Sequence, residues 1–313
     1  MAISQYPNRT HTARGRTASL SWTAILSFAF AFLGWAFLFG MVVYFLVQGL
    51  RVFQFEGLGF LMNADWQYRR PSFGAASMIY GSIVVCAVAV STAGPLALGA
   101  AVFTSEFLTG KTRILIKALM EMLATVPSVI YGLLGVLLLR PFVFDKFSVF
   151  SPETGDNLLT AGLLLGVMIL PTILSLSDDA FRSVSREERD AALSLGLTEA
   201  EVFMNAVFPK VIPGIISAFL LGIGRAFGET IAVFLVVGRA DNRLPNLAGV
   251  PHSLLEAGQT LTSKLGGSEV NLAYGSPLHW SAMMGLAFLL MLIVVVIVAI
   301  GTTVTSFYKR GLA

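Results

Sequence analysis

Six stretches of this chain are apolar for about the 20 residues that a helix needs to cross a bilayer. They lie near 21–48, 76–103, 119–140, 158–176, 211–237 and 281–306. A chain built this way is predicted to be an all-α integral membrane protein with six transmembrane helices, because lipid leaves no partner for unpaired backbone amides. Only 12% of its residues are charged, half the roughly 25% usual in soluble domains. The first stretch exceeds the length of a signal-peptide core and no small-residue cleavage site follows it, so it reads as a retained span. Pro95, Pro127 and Pro171 fall inside three of the stretches. Each removes a backbone donor, which predicts kinked or broken helices.

Between the spans the polar residues divide unevenly. Residues 1–20 read as a tail ahead of a single six-span unit over 21–313. With six spans, both termini and the loops after spans two and four share one side, which holds 12 of the 21 Lys and Arg. The opposite side holds 8 and Arg225 lies within a span, so the excess predicts both termini in the cytoplasm. The loop over 238–280 then lies outside. Within it Leu254, Leu255, Ala257, Leu261 and Leu265 have the spacing of one amphipathic helix lying on the membrane or capping a neighbour. A net charge of +3, with no dense basic run, gives no support to nucleic-acid binding. His11, His252 and His279 are scattered and Cys86 stands alone in an apolar run, so no metal site or disulfide is expected. Gly110-Lys111-Thr112 imitates the end of a P-loop, but Ser105 stands where its first glycine belongs. No catalytic constellation and no bound cofactor are expected.

The largest polar segment on the inner side is 177–210. Ser185 with Glu188, and Thr198 with Glu201, are cap patterns for two short helices meeting at Gly196. That predicts an elbow projecting from the membrane; an ordinary solvated loop is the alternative. Asp190-Ala191-Ala192, then Gly196 three residues on and Pro209 beyond, resemble the EAA loop of ABC-transporter permeases. Asp190, Ala206 and Phe208 replace the Glu, Ile and Leu of that pattern with its spacing intact. The resemblance implies a type I importer fold, with Glu188, Asp190, Ala191, Ala192 and Gly196 coupling to an ATPase subunit.

Phe73-Gly74, Tyr80-Gly81-Ser82, GPLALGAAVFTSEF, LATVPSVIYGLLG and GIGRAFGETIAVFLVVG resemble the phosphate-specific permeases. Gly-Glu-Thr followed by Ile-Ala-Val is similar to the PstC type. That likeness implies a subunit of an ATP-driven phosphate importer in the cytoplasmic membrane. It also implies a second permease of the PstA type, a dimer of PstB-type ATPases that use the ATP, and an external PstS-type binding protein. Permeases for sulfate or molybdate, and an ion-coupled carrier, are the alternatives.

Arg225 and Glu229 stand within the fifth apolar run. An arginine at mid-membrane is destabilising by between about 2.5 and 17 kcal/mol, so it must face the bundle interior or water and have a partner. Glu229, one helical turn on, is the expected partner. Either the pair braces helices, or Arg225, Glu229 and Thr230 line an anion path in which the guanidinium fork meets phosphate oxygens. Gly222, Gly224 and Gly228 are expected to let helices approach closely.

Overall fold

The computed structural model describes residues 22–241, 244 and 250–311. Residues 22–44 and 45–311 form separate units. The first unit is the opening portion of helix α1 (Trp22–Glu56), whose apolar side chains are mostly exposed and where Trp35 stacks on Phe39.

In the second unit a short α2 (Gly59–Met62) leads into a two-residue antiparallel hairpin, β1 (Trp66–Gln67) with β2 (Ser72–Phe73). Then come α3 (Ala76–Val102), α4 (Gly110–Thr125), α5 (Ser128–Leu134) and α6 (Arg140–Lys146). The chain continues through α7 (Leu158–Arg182), α8 (Arg186–Ser194), α9 (Glu199–Val202), α10 (Phe208–Gly228) and α11 (Ile231–Val236). It ends with α12 (Val250–Leu255), α13 (Leu261–Leu265), α14 (Glu269–Ala273) and α15 (Pro277–Gly311). Among the described residues, six helical stretches are long and apolar enough to cross a membrane. The hairpin escaped the sequence reading because two-residue strands carry no measurable alternation.

The central core forms where α3 lies along α7. Ala89, Ala93, Ala97 and Ala101 recur every fourth residue on α3 and are buried. This stripe of small side chains replaces bulk with close backbone approach, the usual currency of helix contact in lipid. Val85, Leu165, Ile169 and Ile173 fill the space between the helices, and Val233 and Val236 of α11 close it. A second cluster joins Val52, Phe60 and Phe73 to Met283 and Leu286 of α15. A third, around Phe181, Val202 and Val211, underlies the elbow.

Three expectations are revised. The third span is not one helix over 119–140: α4 ends at Thr125, the chain runs extended through Val126, and α5 starts after Pro127. Proline disfavours a helical residue before it, which sets the break. The freed carbonyl of Leu123 accepts from the Tyr131 hydroxyl at 2.8 Å. The fifth span is not continuous to 237 either. Glu229 is extended (φ −73°, ψ 122°), separating α10 from α11. The outer loop, finally, is not one amphipathic helix. It divides into α12 and α13 because Gly258 bridges Gly238 and donates to the Val237 carbonyl at 2.9 Å.

Residues 258–264 are consequently buried in the bundle. The loop reaches so deep that a Cβ on Gly81 of α3 would lie 2.0 Å from the Gln259 carbonyl oxygen. Only glycine fits there.

Candidate functional site

Arg225 lies three residues before the end of α10, at the meeting point of three helices. Its Nη1 donates to Thr172 Oγ1 on α7 at 3.0 Å, and Nη2 donates to the carbonyl of Ala124 at 3.0 Å. Ala124 is in the last turn of α4, where carbonyls lack a helical partner and the helix dipole favours a cation. Thr172 follows Pro171, about 21 Å from the Leu158 end of α7 and about 15 Å from its Arg182 end at 1.5 Å per residue. The guanidinium therefore meets α7 near its middle, and its partner is not Glu229. Among the described residues no carboxylate lies within ion-pair distance of Arg225, so its partners are neutral. The helix break is the reason: Glu229 turns away, and its Oε1 accepts from the Ala232 amide at 3.2 Å, capping α11. Thr230 stands at the same break, its hydroxyl donating to the Gly228 carbonyl at 3.4 Å. Arg225, Glu229 and Thr230 are each half-buried.

Of the three glycines expected to admit neighbouring helices, only Gly222 does so among the described residues, its missing Cβ leaving room for Ile173. Gly224 and Gly228 face open space, and Gly228 ends α10. Sequence spacing alone cannot say which side of a helix faces a neighbour.

The elbow forms as the cap patterns predict. The Ser185 hydroxyl accepts from the Glu188 amide, opening α8, and Thr198 makes a full capping box with Glu201, opening α9. Between them Gly196 adopts φ +85°, a left-handed value that glycine takes without strain. Glu188 does not complete a box with Ser185; its carboxylate meets Lys210 Nζ at 2.5 Å, beside the start of α10. Asp190, Ala191, Leu193, Leu195 and Gly196 are exposed, while Ala192 turns partly inward onto the third core cluster.

Arg189 fixes the elbow to the bundle. It forks onto Glu106 (2.6 and 3.0 Å), in the π-helical turn Phe103–Phe107 that follows α3, and also donates to the Phe181 carbonyl at 3.0 Å. Glu106 is the bundle's side of this anchor. Beside it the buried carboxylate of Asp178 takes Arg113 at 2.5 Å and the Thr104 hydroxyl at 3.0 Å. Asp178-Asp179 at the end of the fourth apolar run, with Arg113 and Lys117 after the second, was the available sequence signal.

A further group at the opposite end escaped the sequence reading. Lys264, its side chain 2% exposed, is ion-paired to Asp241 at 2.7 Å and to Glu269, and its ammonium lies 5.0 Å from the centre of the Trp66 ring. Glu269 also meets His279 Nε2 at 2.9 Å and accepts from the Trp66 indole. Burial pushes the Glu269 carboxyl up, but Lys264, Trp66 and His279 together hold it below its ordinary value. These residues come from β1, the outer loop and α15, and no local spacing links them.

The comparisons agree with this architecture. The family described as "Binding-protein-dependent transport system inner membrane component" matches residues 93–312. The phosphate transport system permease protein PstC of Xylella fastidiosa (strain Temecula1) is 32% identical over 268 residues, covering 79% of this chain and 82% of that protein. Its namesake from Pasteurella multocida is 34% identical over 260 residues, covering 78% of each. The probable ABC transporter permease protein YqgH of Bacillus subtilis is 33% identical over 253 residues, covering 78% of each. Among solved structures, an inward facing conformation of the MetNI methionine ABC transporter aligns with TM-score 0.51 and 15% identity. That alignment covers 74% of this chain and 96% of the other, a likeness of fold.

Proposed function

This chain belongs to the binding-protein-dependent transport system inner membrane component family, and we propose that it is the PstC-type permease subunit of an ATP-driven phosphate importer. The relatives named PstC, each above 30% identity over most of both chains, support that substrate. The observation within this chain that carries it is Arg225. It is a mid-span guanidinium hydrogen-bonded to one hydroxyl and one carbonyl and to no carboxylate among the described residues. A cation held by neutral partners keeps its field, and three of its five N–H donors stay free for an anion.

Bracing and translocation are two aspects of one arrangement here. Two hydrogen bonds hold the fork against α4 and α7, and the half-open side of the guanidinium receives the passing anion. Thr230 and Glu229, at the helix break, form the outer part of the path. Glu229 supplies a carboxylate that accepts from a protonated phosphate, a donor that sulfate lacks at neutral pH.

The side bearing the elbow faces the cytoplasm, by the excess of basic residues, and both termini lie there. The exposed stretch Asp190 to Gly196, with Glu188 at its flank, docks on an ATPase subunit of a PstB-type dimer. That dimer consumes the ATP; this chain carries no cofactor of its own. A PstA-type permease and a PstS-type binding protein complete the complex. Docking pulls on three elements together: Arg189 holds the ends of α3 and α7, while Glu188 holds Lys210 at the foot of α10. The far end of α10 carries Arg225, about 23 Å from Lys210 at 1.5 Å per residue.

Labelled-phosphate uptake by the reconstituted four-component complex, with sulfate and molybdate as competitors, tests this reading. Uptake that needs ATP and resists both competitors supports it. Uptake blocked by either competitor points to another oxyanion, and uptake without an ATPase subunit points to an ion-coupled carrier.

A further inference from the structure

A second cationic site lies on the elbow side, well away from Arg225. A cavity of about 490 Å³ opens where the π-helical turn after α3, the start of α4 and the start of α8 meet. That volume is within the range of small-molecule sites, about 300–1,000 Å³. Arg113, Arg182, Arg186 and Arg189 line it together with the hydroxyl residues Ser105, Thr109 and Ser185, and no carboxylate does.

The four arginines differ in what they have left to offer. Arg113 and Arg189 are turned by Asp178 and Glu106, which stand behind the wall. Arg182 and Arg186 are exposed and have no ion-pair or hydrogen-bond partner among the described residues. The lining therefore carries two uncompensated positive charges. The floor adds donors: Thr109 precedes α4 without capping it, so the first amides of that helix are unclaimed. Uncompensated guanidinium groups, uncapped amides and hydroxyls call for one kind of ligand, a compact anion with several acceptor oxygens.

We propose that this cavity, bounded by Thr109, Arg113, Arg182 and Arg186, is a binding site for a phosphate-type oxyanion, free or as a monoester. The anion bonds to the α3–α4 junction on one side and to the first turn of α8 on the other. It thereby ties the elbow to the bundle beside the Arg189–Glu106 pair. The site does not depend on the translocation reading; only its side of the membrane does.

Phenylglyoxal, which modifies arginine, tests it on the assembled complex in nanodiscs, where both membrane faces are open to reagent. Modification of Arg182 and Arg186 is read by peptide mass spectrometry, with the exposed Arg69 and Arg70 as internal controls. In phosphatidylcholine discs, inorganic phosphate is expected to slow modification of Arg182 and Arg186 by about fivefold or more over chloride of equal ionic strength, so that screening is held constant. Arg182→Gln is expected to abolish the protection of Arg186, and Arg186→Gln that of Arg182. Protection that appears only in discs containing phosphatidic acid, without added phosphate, supports the same site with a lipid monoester as its ligand. Equal protection by chloride overturns the proposal, as does equal protection of Arg69 and Arg70. So does a complex in which Arg182 and Arg186 never react, because a partner subunit then fills the cavity. Phosphate uptake by the same preparations separates failure of this site from failure of the importer reading.

Discussion

Removing either member of the Arg189–Glu106 pair should release the elbow. The two side chains are 24% and 20% exposed and joined by two parallel bonds, with a third bond from Arg189 to the Phe181 carbonyl. An exposed ion pair contributes about 0–1 kcal/mol, whereas a hydrogen bond to a charged group contributes about 1.5–3 kcal/mol. This pair is bidentate and mostly shielded, which favours the upper range, so a coupling of about 1–3 kcal/mol is expected, or about 5- to 150-fold in an equilibrium. A glutamate-specific protease reads it. Cleavage after Glu187 and Glu188 should accelerate by that factor in Glu106→Ala and in Arg189→Ala, since slow proteolysis tracks the open population. The double variant should be far less than additive. In assembled complexes both single variants should hydrolyse more ATP per phosphate imported. Additive cleavage rates, or unchanged coupling after the pair is broken, would refute the role assigned to it.

Three further outcomes follow from other parts of the structure. Gly81→Ala should destabilise the chain by about 3 kcal/mol or prevent assembly, because the new Cβ meets the Gln259 carbonyl at 2.0 Å; thermal unfolding followed by size-exclusion chromatography reads it. Glu269→Gln should loosen residues 261–273 by about 1.5–3 kcal/mol at neutral pH, measured by hydrogen exchange. The Glu269 carboxyl is held below its ordinary value. Its contribution is therefore complete above the unfolded-state carboxylate pKa and fades as pH falls through the folded value, so variant and parent should converge in acid. Glu229→Gln should narrow the preference for phosphate over sulfate while assembly survives; unchanged selectivity would remove the proton-accepting role of that carboxylate.

The six spans were legible because lipid imposes one rule along the whole chain, and the elbow because caps and a left-handed glycine are local signals. Ser185, Gly196 and Thr198 each stand where their side chains or backbone freedom require. The helix breaks were not legible in full. Pro95 and Pro171 lie within continuous helices while Pro127 ends one. What differs at Pro127 is tertiary: the Tyr131 hydroxyl and the Arg225 guanidinium donate to the freed carbonyls of Leu123 and Ala124. The same cause misdirected the partner of Arg225. An i+4 carboxylate is the natural expectation on an unbroken helix, and the extended backbone of Glu229 removes it. The cluster of Lys264, Asp241, Glu269 and His279 is assembled over distances that no sequence period spans.

Phosphate uptake by complexes carrying Arg225→Lys is the decisive measurement. The ammonium keeps the charge but cannot bridge Thr172 and the Ala124 carbonyl while still offering donors to an anion. Loss of one charge-assisted bond, about 1.5–3 kcal/mol, predicts uptake reduced by about tenfold or more, with ATPase binding intact. Normal uptake by that variant would contradict the assignment of this guanidinium to the anion path.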